Sequence, residues 1–296
     1  MVNLLRSGFF RYLHSTIFKV CSVLTVAISF LFSYRIYDAA ELNEFWFVFG
    51  TITFAILITF MVGTETSKCI RNKIPTGYTR TQIYFSELIL ANVFVILFFI
   101  VFLVAAVCLN VRLLSHTPLK LALQAIFGFL CMALLIANVV ASLTCMISAK
   151  TASTIVCLVM IIVLFLTSAI VVEMLNQKEF HKVGSSVNDG EMVYWKEKNP
   201  NYVDEPWRSV LSFYRDANPY GQRAEYDEIL VPFLYCDESW EKAMEATANT
   251  IGNDFLKREI SETEQDYLNS IPFAIIAPIP FFVLGGWFVF RKKSFK

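Results

Sequence analysis

The stretch at residues 65–88 reads ETSKCIRNKIPTGYTRTQIYFSEL and interrupts an otherwise apolar part of the chain. It is preceded by FWFVFGTITFAILITFMV at 45–62 and followed by LILANVFVILFFIVFLVAAVCL at 88–109. Both neighbours lack charged residues, and each is close to the roughly 20 residues that a helix needs to cross a bilayer. A basic segment broken by Pro75 and Gly77 between two such runs predicts a structured connection at the membrane face.

The whole chain has the composition of a membrane protein. Of its 296 residues, 56% are hydrophobic and only 17% are charged, whereas about a quarter are charged in soluble domains. Because backbone polar groups must be satisfied inside lipid, each long apolar run predicts a helix. We therefore predict an all-α polytopic membrane protein with six transmembrane helices. The six runs lie at about 18–34, 45–62, 88–109, 121–147, 152–172 and 271–290.

The distribution of Lys and Arg predicts the orientation. Basic residues occur in the N-terminal arm, in the 65–88 segment, in the turn at 148–151 and in the tail RKKSFK at 291–296. With six spans all four regions lie on one side, which the positive-inside tendency makes cytoplasmic. We expect a multi-pass protein of the plasma membrane with both termini in the cytoplasm, Arg112 and Lys120 being a mild exception.

Residues 176–269 form the one long polar stretch, and we predict an α-rich extracellular domain there. Residues 1–175 would hold the N-terminal helix and five spans, and residues 270–296 the sixth span and the basic tail. The outer stretch carries 19 acidic residues and 10 Lys or Arg, a net charge of −9. Two interpretations stay open, a solvated acidic surface or a surface that attracts a cationic peptide.

The basic segment itself has an internal pattern. Residues 66–73 predict two helical turns, Pro75-Thr76-Gly77 predicts a break, and Thr79-x-x-Gln82 has the spacing of a capping box at a new helix. Arg71, Lys73 and Arg80 are suited to anionic headgroups of membrane lipid. A helix followed by a defined turn is also the shape that fits a groove on a partner protein.

At this point a family resemblance becomes visible. The segment resembles the connection between the second and third spans of permease subunits of bacterial type-2 ABC exporters. A second similarity is the pentapeptide at 218–222, NPYGQ, which resembles a Pro-x-Gly-Gln often found in their outer loop. The matches in the segment are Ile70-Arg71-Asn72-Lys73, Gly77, Thr79-Arg80, Ile83-Tyr84, Ser86 and Ile89.

The resemblance implies a function and partners. The segment at about 65–87 would be the coupling helix that inserts into a separate ATP-binding subunit, and that subunit would bind ATP and Mg²⁺. This chain contains no G-x-x-x-x-G-K-[ST] phosphate loop, so we expect no enzyme activity and no cofactor in it. The coupling contacts would come from Lys68, Ile70, Arg71, Asn72, Lys73, Gly77, Tyr78, Thr79 and Arg80.

The implied function is a permease that exports a peptide or hydrophobic compound, as in antimicrobial-peptide immunity or export. Six spans are too few to enclose a large conduit, so a second permease chain, identical or related, is implied. The alternative is a membrane sensor or accessory protein whose outer domain binds a ligand without transport.

Polar residues within apolar runs are the remaining candidates, because polar groups in lipid are unfavourable. Asn92 and Asn138 fit either a transport path or helix–helix hydrogen bonds. Glu173 fits either a transport path or an interfacial carboxylate at the end of a span. Pro278 and Pro280 predict a broken last helix, which fits either a gate or a static approach from the outer domain.

The N-terminal arm has a helical pattern of its own. Leu5, Phe9, Tyr12 and Leu13 share one helical face, which predicts an interfacial helix or simply the start of the first span. Glu65 and Glu87 flank the basic segment, either pairing with nearby basic residues or transmitting motion.

Catalytic and metal sites are not predicted. The seven Cys include no CxxC pair, and His14, His116 and His181 are far apart in sequence, so no zinc-type ligand set is present. No catalytic His lies in an apolar run, which disfavours an intramembrane protease. The net charge of zero and the absence of a basic domain disfavour nucleic-acid binding.

Overall fold

The computed structural model describes residues 1–33, 73–109, 119–147, 150–188, 191–218, 220–224 and 262–292. These residues form eight helices of at least 11 residues, a short helical stretch at 220–224 and one antiparallel hairpin. In chain order the elements are α1 Val2–His14, α2 Thr16–Ser33, α3 Arg80–Leu109, α4 Leu119–Met146, α5 Lys150–Asn176, β1 Phe180–Asn188, β2 Glu191–Lys198, α6 Trp207–Ala217, α7 Glu262–Ile276 and α8 Ile279–Lys292.

Four helical stretches are long and apolar enough to cross a membrane. They are Arg80–Ala105, Ile126–Met146, Ala152–Asn176 and Leu268–Lys292, and they coincide with the third to sixth predicted runs. Within α2, the part Thr16–Ala27 is a shorter apolar helix. The second predicted run at 45–62 lies outside the described residues, so the count of six spans stays a prediction.

Helix α4 lies at the centre of the first of two compact units, which contains residues 1–160 and 226–296. It contacts α3, α7 and α8, and 72% of its candidate span is buried. Small side chains at intervals of four residues, Ala133, Ala137 and Ala141, are fully buried. A stripe of small residues lets helices approach closely, which is how helices associate where water supplies no hydrophobic driving force.

Three helices meet at the phenol of Tyr84 on α3. Its hydroxyl donates to the backbone oxygen of Val283 on α8 at 2.9 Å and shares a 2.9 Å hydrogen bond with Ser142 Oγ on α4. Because the single phenolic hydrogen is used on Val283, Ser142 is the donor in the second bond. Tyr84 is fully buried, and a Cβ added at Gly286 would lie only 2.5 Å from its hydroxyl oxygen.

We predict that Gly286→Ala destabilises the helix assembly while its neighbour Gly285→Ala does not. The added methyl at 286 would meet Tyr84 and also lie 2.9 Å from Ser142 Cβ, so α8 must move, at a cost of about 1–3 kcal/mol. A Cβ at Gly285 meets nothing within 4 Å, and Ala is the better helix former. Thermal unfolding of the two variants in one detergent tests this, and an equal Tm for both would contradict it.

The last candidate span is interrupted, as its prolines predict. Helix α7 ends at Ile276 and α8 begins at Ile279. Pro278 and Pro280 have no N–H to donate to the carbonyls four residues earlier, which breaks the helical ladder. The break is therefore confirmed, whereas the roles of Pro278 and Pro280 in gating stay predictions.

The second compact unit contains residues 161–225 and includes the hairpin, which the sequence did not predict. Strands β1 and β2 pair from Phe180 with Lys198 to Asn188 with Glu191. The register leaves two residues between the strands, Asp189 and Gly190, and Asp-Gly is a strong hairpin signal. After the hairpin, the exposed Lys198 donates to both carboxylate oxygens of Asp204 at 3.0 and 3.1 Å. This hydrogen bond, and then the charge of Asp204, raises the pKa of Lys198.

Asn218 ends α6 and begins the pentapeptide NPYGQ, whose residues from Tyr220 onward are helical and contact α5 in this unit. The Asn218 side chain donates to the Leu164 carbonyl at 3.0 Å and accepts from the Tyr220 N–H at 3.0 Å. The Tyr220 ring meets Phe165 edge-on at 5.7 Å. A Cβ at Gly221 would lie 2.3 Å from the Arg215 carbonyl oxygen, so only glycine fits there. Residues 225–261 of the predicted outer domain lie outside the described residues.

Candidate functional site

The described end of the basic segment is a tight helix C-terminal turn. Lys73 is helical, its carbonyl accepts from the Tyr78 N–H at 3.3 Å, and the Ile74 carbonyl accepts from the Gly77 N–H at 3.1 Å. Gly77 has φ +91°. These two bonds around a left-handed glycine define a Schellman motif. Pro75, Thr76 and Gly77 are exposed, so the turn presents its tip to the surroundings with a defined backbone.

A capping box follows the turn at once. The Gln82 N–H donates to Thr79 Oγ1 at 3.2 Å, and the Thr79 N–H donates to Gln82 Oε1 at 3.1 Å. Helix α3 begins at Arg80, so the predicted capping box and the predicted new helix are confirmed. Helix termini leave backbone groups without partners. At both ends of this turn such groups are hydrogen-bonded.

The carboxylate of Glu87 joins three separate parts of the chain. It accepts from Lys73 Nζ at 2.6 Å and from the Tyr12 hydroxyl at 2.7 Å. Its side chain is 1% exposed, and Arg11 Nη2 lies 3.9 Å away. Thus α1, the end of the basic segment and α3 converge on one buried negative charge. We call Tyr12, Lys73 and Glu87 the Glu87 junction.

The electrostatics of the junction favour a fixed geometry. A buried ion pair is weak as a source of net stability, but removing one partner leaves an uncompensated buried charge. The Lys73 side chain is 11% exposed, so water cannot readily replace Glu87 as the partner of its ammonium group. The pair therefore fixes Lys73 against α3.

Helix α1 is a helix of its own rather than the start of the first span. Ser15 breaks the chain with φ −70° and ψ 141° between α1 and α2. The buried face consists of Leu4, Gly8 and Tyr12. The prediction placed Leu5 and Phe9 on this face together with Tyr12, so the first two positions differ by one residue. The shift arises because Tyr12 must reach Glu87 and because Gly8 sits against the Leu90 side chain.

The beginning of α3 is also tied to the end of α8. The Arg80 guanidinium donates to the Arg291 carbonyl at 2.8 Å, and Trp287 Nε1 donates to Thr81 Oγ1 at 3.2 Å. A cation at a helix C-terminus is favourable because the last carbonyls lack partners and carry partial negative charge. The Arg291 guanidinium lies 5.5 Å from the centre of the Trp287 ring. These contacts fix the start of α3, directly after the turn, against the end of α8.

The two intramembrane asparagines form a reciprocal pair between α3 and α4. Asn92 Nδ2 donates to Asn138 Oδ1 at 3.0 Å, and Asn138 Nδ2 donates to Asn92 Oδ1 at 2.9 Å. Each amide also donates to its own helix, at Leu88 and Leu134. These are the helix–helix hydrogen bonds that the sequence left as one alternative, and a role of either residue in a transport path stays a prediction.

The predicted coupling residues are only partly described. Lys68, Ile70, Arg71 and Asn72 lie outside the described residues. Lys73 turns inward to Glu87, whereas Gly77, Tyr78, Thr79 and Arg80 lie at the turn or at the start of α3. Glu173 is exposed near the end of α5.

The sequence offered no role for Ser142 or Gly286, and it named Tyr12 and Tyr84 only as part of a helical face and of the family resemblance. For Glu87 it left two alternatives, pairing with nearby basic residues or transmitting motion, and the ion pair with Lys73 is the first of these. One signal for Glu87 was present, since it is the single acidic residue between positions 66 and 172. A lone carboxylate at the edge of a long apolar run needs a cationic partner. No comparable signal singles out Tyr12, because its role depends on the packing of α1 on α3.

Among the described residues, no group of three or more His, Cys, Asp or Glu is placed to hold a metal ion. A scan against protein-family models and a search of curated proteins found no match to this chain. What the fold defines is a helical protein with four long apolar helices, which indicate a multi-pass membrane protein.

We predict that Glu87→Gln destabilises the protein far more than the double change Glu87→Gln with Lys73→Met. The single change leaves the Lys73 ammonium buried without a counter-charge, at a cost of about 3 kcal/mol. The double change removes the ammonium too, so most of this loss should return. Thermal unfolding of wild type, both single variants and the double variant gives the coupling energy. Strictly additive effects would show that the pair does not interact.

Gly77 can be tested with two replacements at the same position. We expect Gly77→Ala to cost about 1–2 kcal/mol, because an L side chain at positive φ is strained. Gly77→Asn should cost clearly less, since Asn adopts the left-handed region more readily. Nothing lies within 4 Å of an added Cβ, so a steric clash cannot explain the difference. Equal losses in Tm for the two variants would refute the backbone explanation.

Proposed function

We propose that this chain is the permease subunit of an ATP-driven exporter, with residues 65–87 as the coupling segment that an ATP-binding subunit grips. The resemblance of this segment and of NPYGQ to type-2 ABC permeases is what suggests the class. The exported compound would be a peptide or a hydrophobic molecule. A second permease chain would complete the path, and ATP and Mg²⁺ would be bound by the partner subunit.

The observation that carries the proposal is the Glu87 junction. A surface that only holds lipid headgroups needs positive charge but no rigid attachment to a membrane helix. Here the segment contains a hydrogen-bonded turn at 73–78, and Lys73 at the start of that turn is fixed to Glu87 on α3 by a 2.6 Å ion pair. This arrangement supports a mechanical role, because a force applied to the segment would move α3 and α1 with it.

The contacts of α3 extend the same argument into the membrane. From the junction outward, α3 is joined to α8 through Tyr84 and to α4 through Asn92. A displacement of α3 must therefore be shared with both neighbours or must break these bonds. Such a connected set is the physical route that coupling needs. Orientation with both termini in the cytoplasm follows from the basic residues and belongs to the proposal.

The proposal is tested by purifying the tagged chain from its native membrane. We expect an ATP-binding subunit to co-purify and the complex to hydrolyse ATP. The charge reversal Arg71→Glu should reduce the recovered partner about tenfold, the effect of losing one charged contact of about 1.4 kcal/mol. The matched control is Lys292→Glu, an exposed basic residue of α8 outside the segment, which should leave recovery unchanged.

Two results would contradict the proposal. Equal recovery with Arg71→Glu and Lys292→Glu would show that the segment is not the contact. If wild type brings down no ATP-binding protein and its preparations hydrolyse no ATP, a sensor or accessory protein that binds a ligand through its outer domain becomes the better hypothesis.

A further inference from the structure

A cavity of about 530 Å³ lies along α1, within the range of roughly 300–1,000 Å³ that is usual for small-molecule sites. Its described lining residues are Asn3, Arg6, Ser7, Phe9, Phe10 and Leu13. None of them belongs to the buried face of α1, which consists of Leu4, Gly8 and Tyr12. The cavity is therefore formed by a side of α1 that the packing on α3 leaves accessible.

The cavity is polar at one end and apolar at the other. The lining residues between positions 3 and 7 are polar, and those between positions 9 and 13 are apolar. The centres of the two groups are about five residues apart, which is about 8 Å at the helical rise of 1.5 Å per residue. A molecule that fills the cavity must therefore carry a polar group and an apolar group within this distance, as an amphiphile does.

The polar end of the cavity is positively charged. Arg6 is exposed and makes no ion pair with any residue in the described part of the chain. The Ser7 hydroxyl donates to the Leu4 carbonyl at 3.1 Å, so the Arg6 guanidinium and the Asn3 amide supply the hydrogen-bond donors of this end. Residues 1–33 carry three Lys or Arg and no Asp or Glu. This end therefore suits an anion, and a guanidinium matches the geometry of phosphate oxygens.

The aromatic walls of the apolar end are held in place by their neighbours. The Phe9 ring stacks on Phe94 of α3 with 5.4 Å between the ring centres. The Phe10 ring stacks on His14 at 4.0 Å and is still 63% exposed. Because both rings have these partners without any ligand, a ligand that packs on them pays less side-chain entropy.

The contacts of α1 place the cavity at the membrane face. Helix α1 meets α3 at Glu87, Leu90 and Phe94, and the uncharged run of α3 begins at Leu88. When α3 spans the bilayer, α1 therefore lies at the level where α3 enters hydrocarbon, as an amphipathic interfacial helix does. The helix that follows, α2, leaves Val23 67% exposed, so apolar surface continues next to α1.

We propose that this cavity binds one anionic phospholipid, with the phosphate on Arg6 and Asn3 and the beginning of the acyl chains against Phe10 and Leu13. The occupant is a lipid because the cavity lies at the membrane face and combines an unneutralised cation with an apolar wall. An interfacial position of α1 requires only a general affinity for the bilayer, whereas this site holds one lipid at one place. The proposal needs α3 to span the membrane and does not depend on an ATP-binding partner.

Lipid retention by the full chain tests the chemical class of the ligand. The chain is purified in detergent, stripped of lipid and mixed with equal amounts of phosphatidylglycerol and of phosphatidylcholine with the same acyl chains. Native mass spectrometry then counts the bound lipid. We expect about fivefold more of the single phosphatidylglycerol adduct, the effect of one basic residue beside an anionic lipid. Glycerol phosphate, an anion without acyl chains, should not be retained at the same concentration.

Matched variants locate the site on the chain. Arg6→Gln should lower phosphatidylglycerol retention about fivefold, whereas Arg6→Lys keeps the charge and should keep most of the retention. Lys19→Gln removes an exposed basic residue of α2 that does not line the cavity, and it should leave retention unchanged. Asn3→Asp places a negative charge at the polar end and should act like Arg6→Gln, so a variant that folds poorly leaves the other to decide.

Three results would each overturn the proposal. Equal retention of the two phospholipids would show that the cavity does not select an anion. Retention of glycerol phosphate would show that the apolar end is not needed. If Arg6→Gln lowers retention no more than Lys19→Gln does, the basic arm attracts lipid only diffusely.

A photoreactive benzophenone amino acid in place of Phe10 identifies what covers the apolar end. In vesicles with equal amounts of the two lipids, illumination should give about fivefold more phosphatidylglycerol adduct, and Arg6→Gln should abolish this preference. The same amino acid at Glu197, an exposed position of β2, is the matched control and should give no lipid adduct. A crosslinked band at twice the mass would assign the site to a second copy of this chain and would contradict lipid as the occupant.

Discussion

A buried carboxylate must keep its cation, and in this protein that requirement determines how one end of the helices is assembled. Glu87 is 1% exposed and is held by Lys73 and Tyr12. Because an unpaired charge there is costly, the basic segment cannot leave α3 without a large penalty. The amphipathic helix α1 is fixed at the same point, although Tyr12 lies 75 positions from Glu87 in the sequence.

Further from that end, α3 is attached to its neighbours by polar contacts rather than by apolar packing alone. The Tyr84 hydroxyl bonds both Ser142 and Val283, and the side-chain amides of Asn92 and Asn138 bond each other in both directions. In lipid, apolar side chains contribute little to helix–helix specificity, since lipid tails are equally apolar. The hydrogen bonds and the glycine at 286 therefore specify which faces meet. A permease moved by its neighbours would need such specific contacts.

The segment that follows α6 is also held by specific polar contacts. NPYGQ resembles a family motif, and its residues have local physical roles. Asn218 ends α6 and bonds α5, and Gly221 permits an approach that no side chain would allow. These contacts hold the end of α6 beside α5. The residue types of the motif therefore have a structural reason that does not depend on function.

Local patterns in the sequence were sufficient for the elements they encode directly. Apolar runs predicted the four candidate spans, Thr79 and Gln82 predicted the start of α3, and Pro278 with Pro280 predicted the break before α8. The hairpin was missed although Asp189-Gly190 signalled it, because its first strand, FHKVGSSVN, lacks clear apolar alternation. The count of six spans and the coupling role of all the residues assigned to it remain predictions.

Only the tertiary structure decided which residues meet. Tyr12 and Glu87 are 75 positions apart, and Tyr84 and Val283 are 199 apart. No local propensity or periodicity carries information about such pairs, since they depend on how helices pack. The sequence alone determined where the four candidate spans lie, where α3 begins and where the last span is interrupted. The structure identified Lys73 and Tyr12 as the partners of Glu87, and with them the way the turn before α3 is joined to the helices.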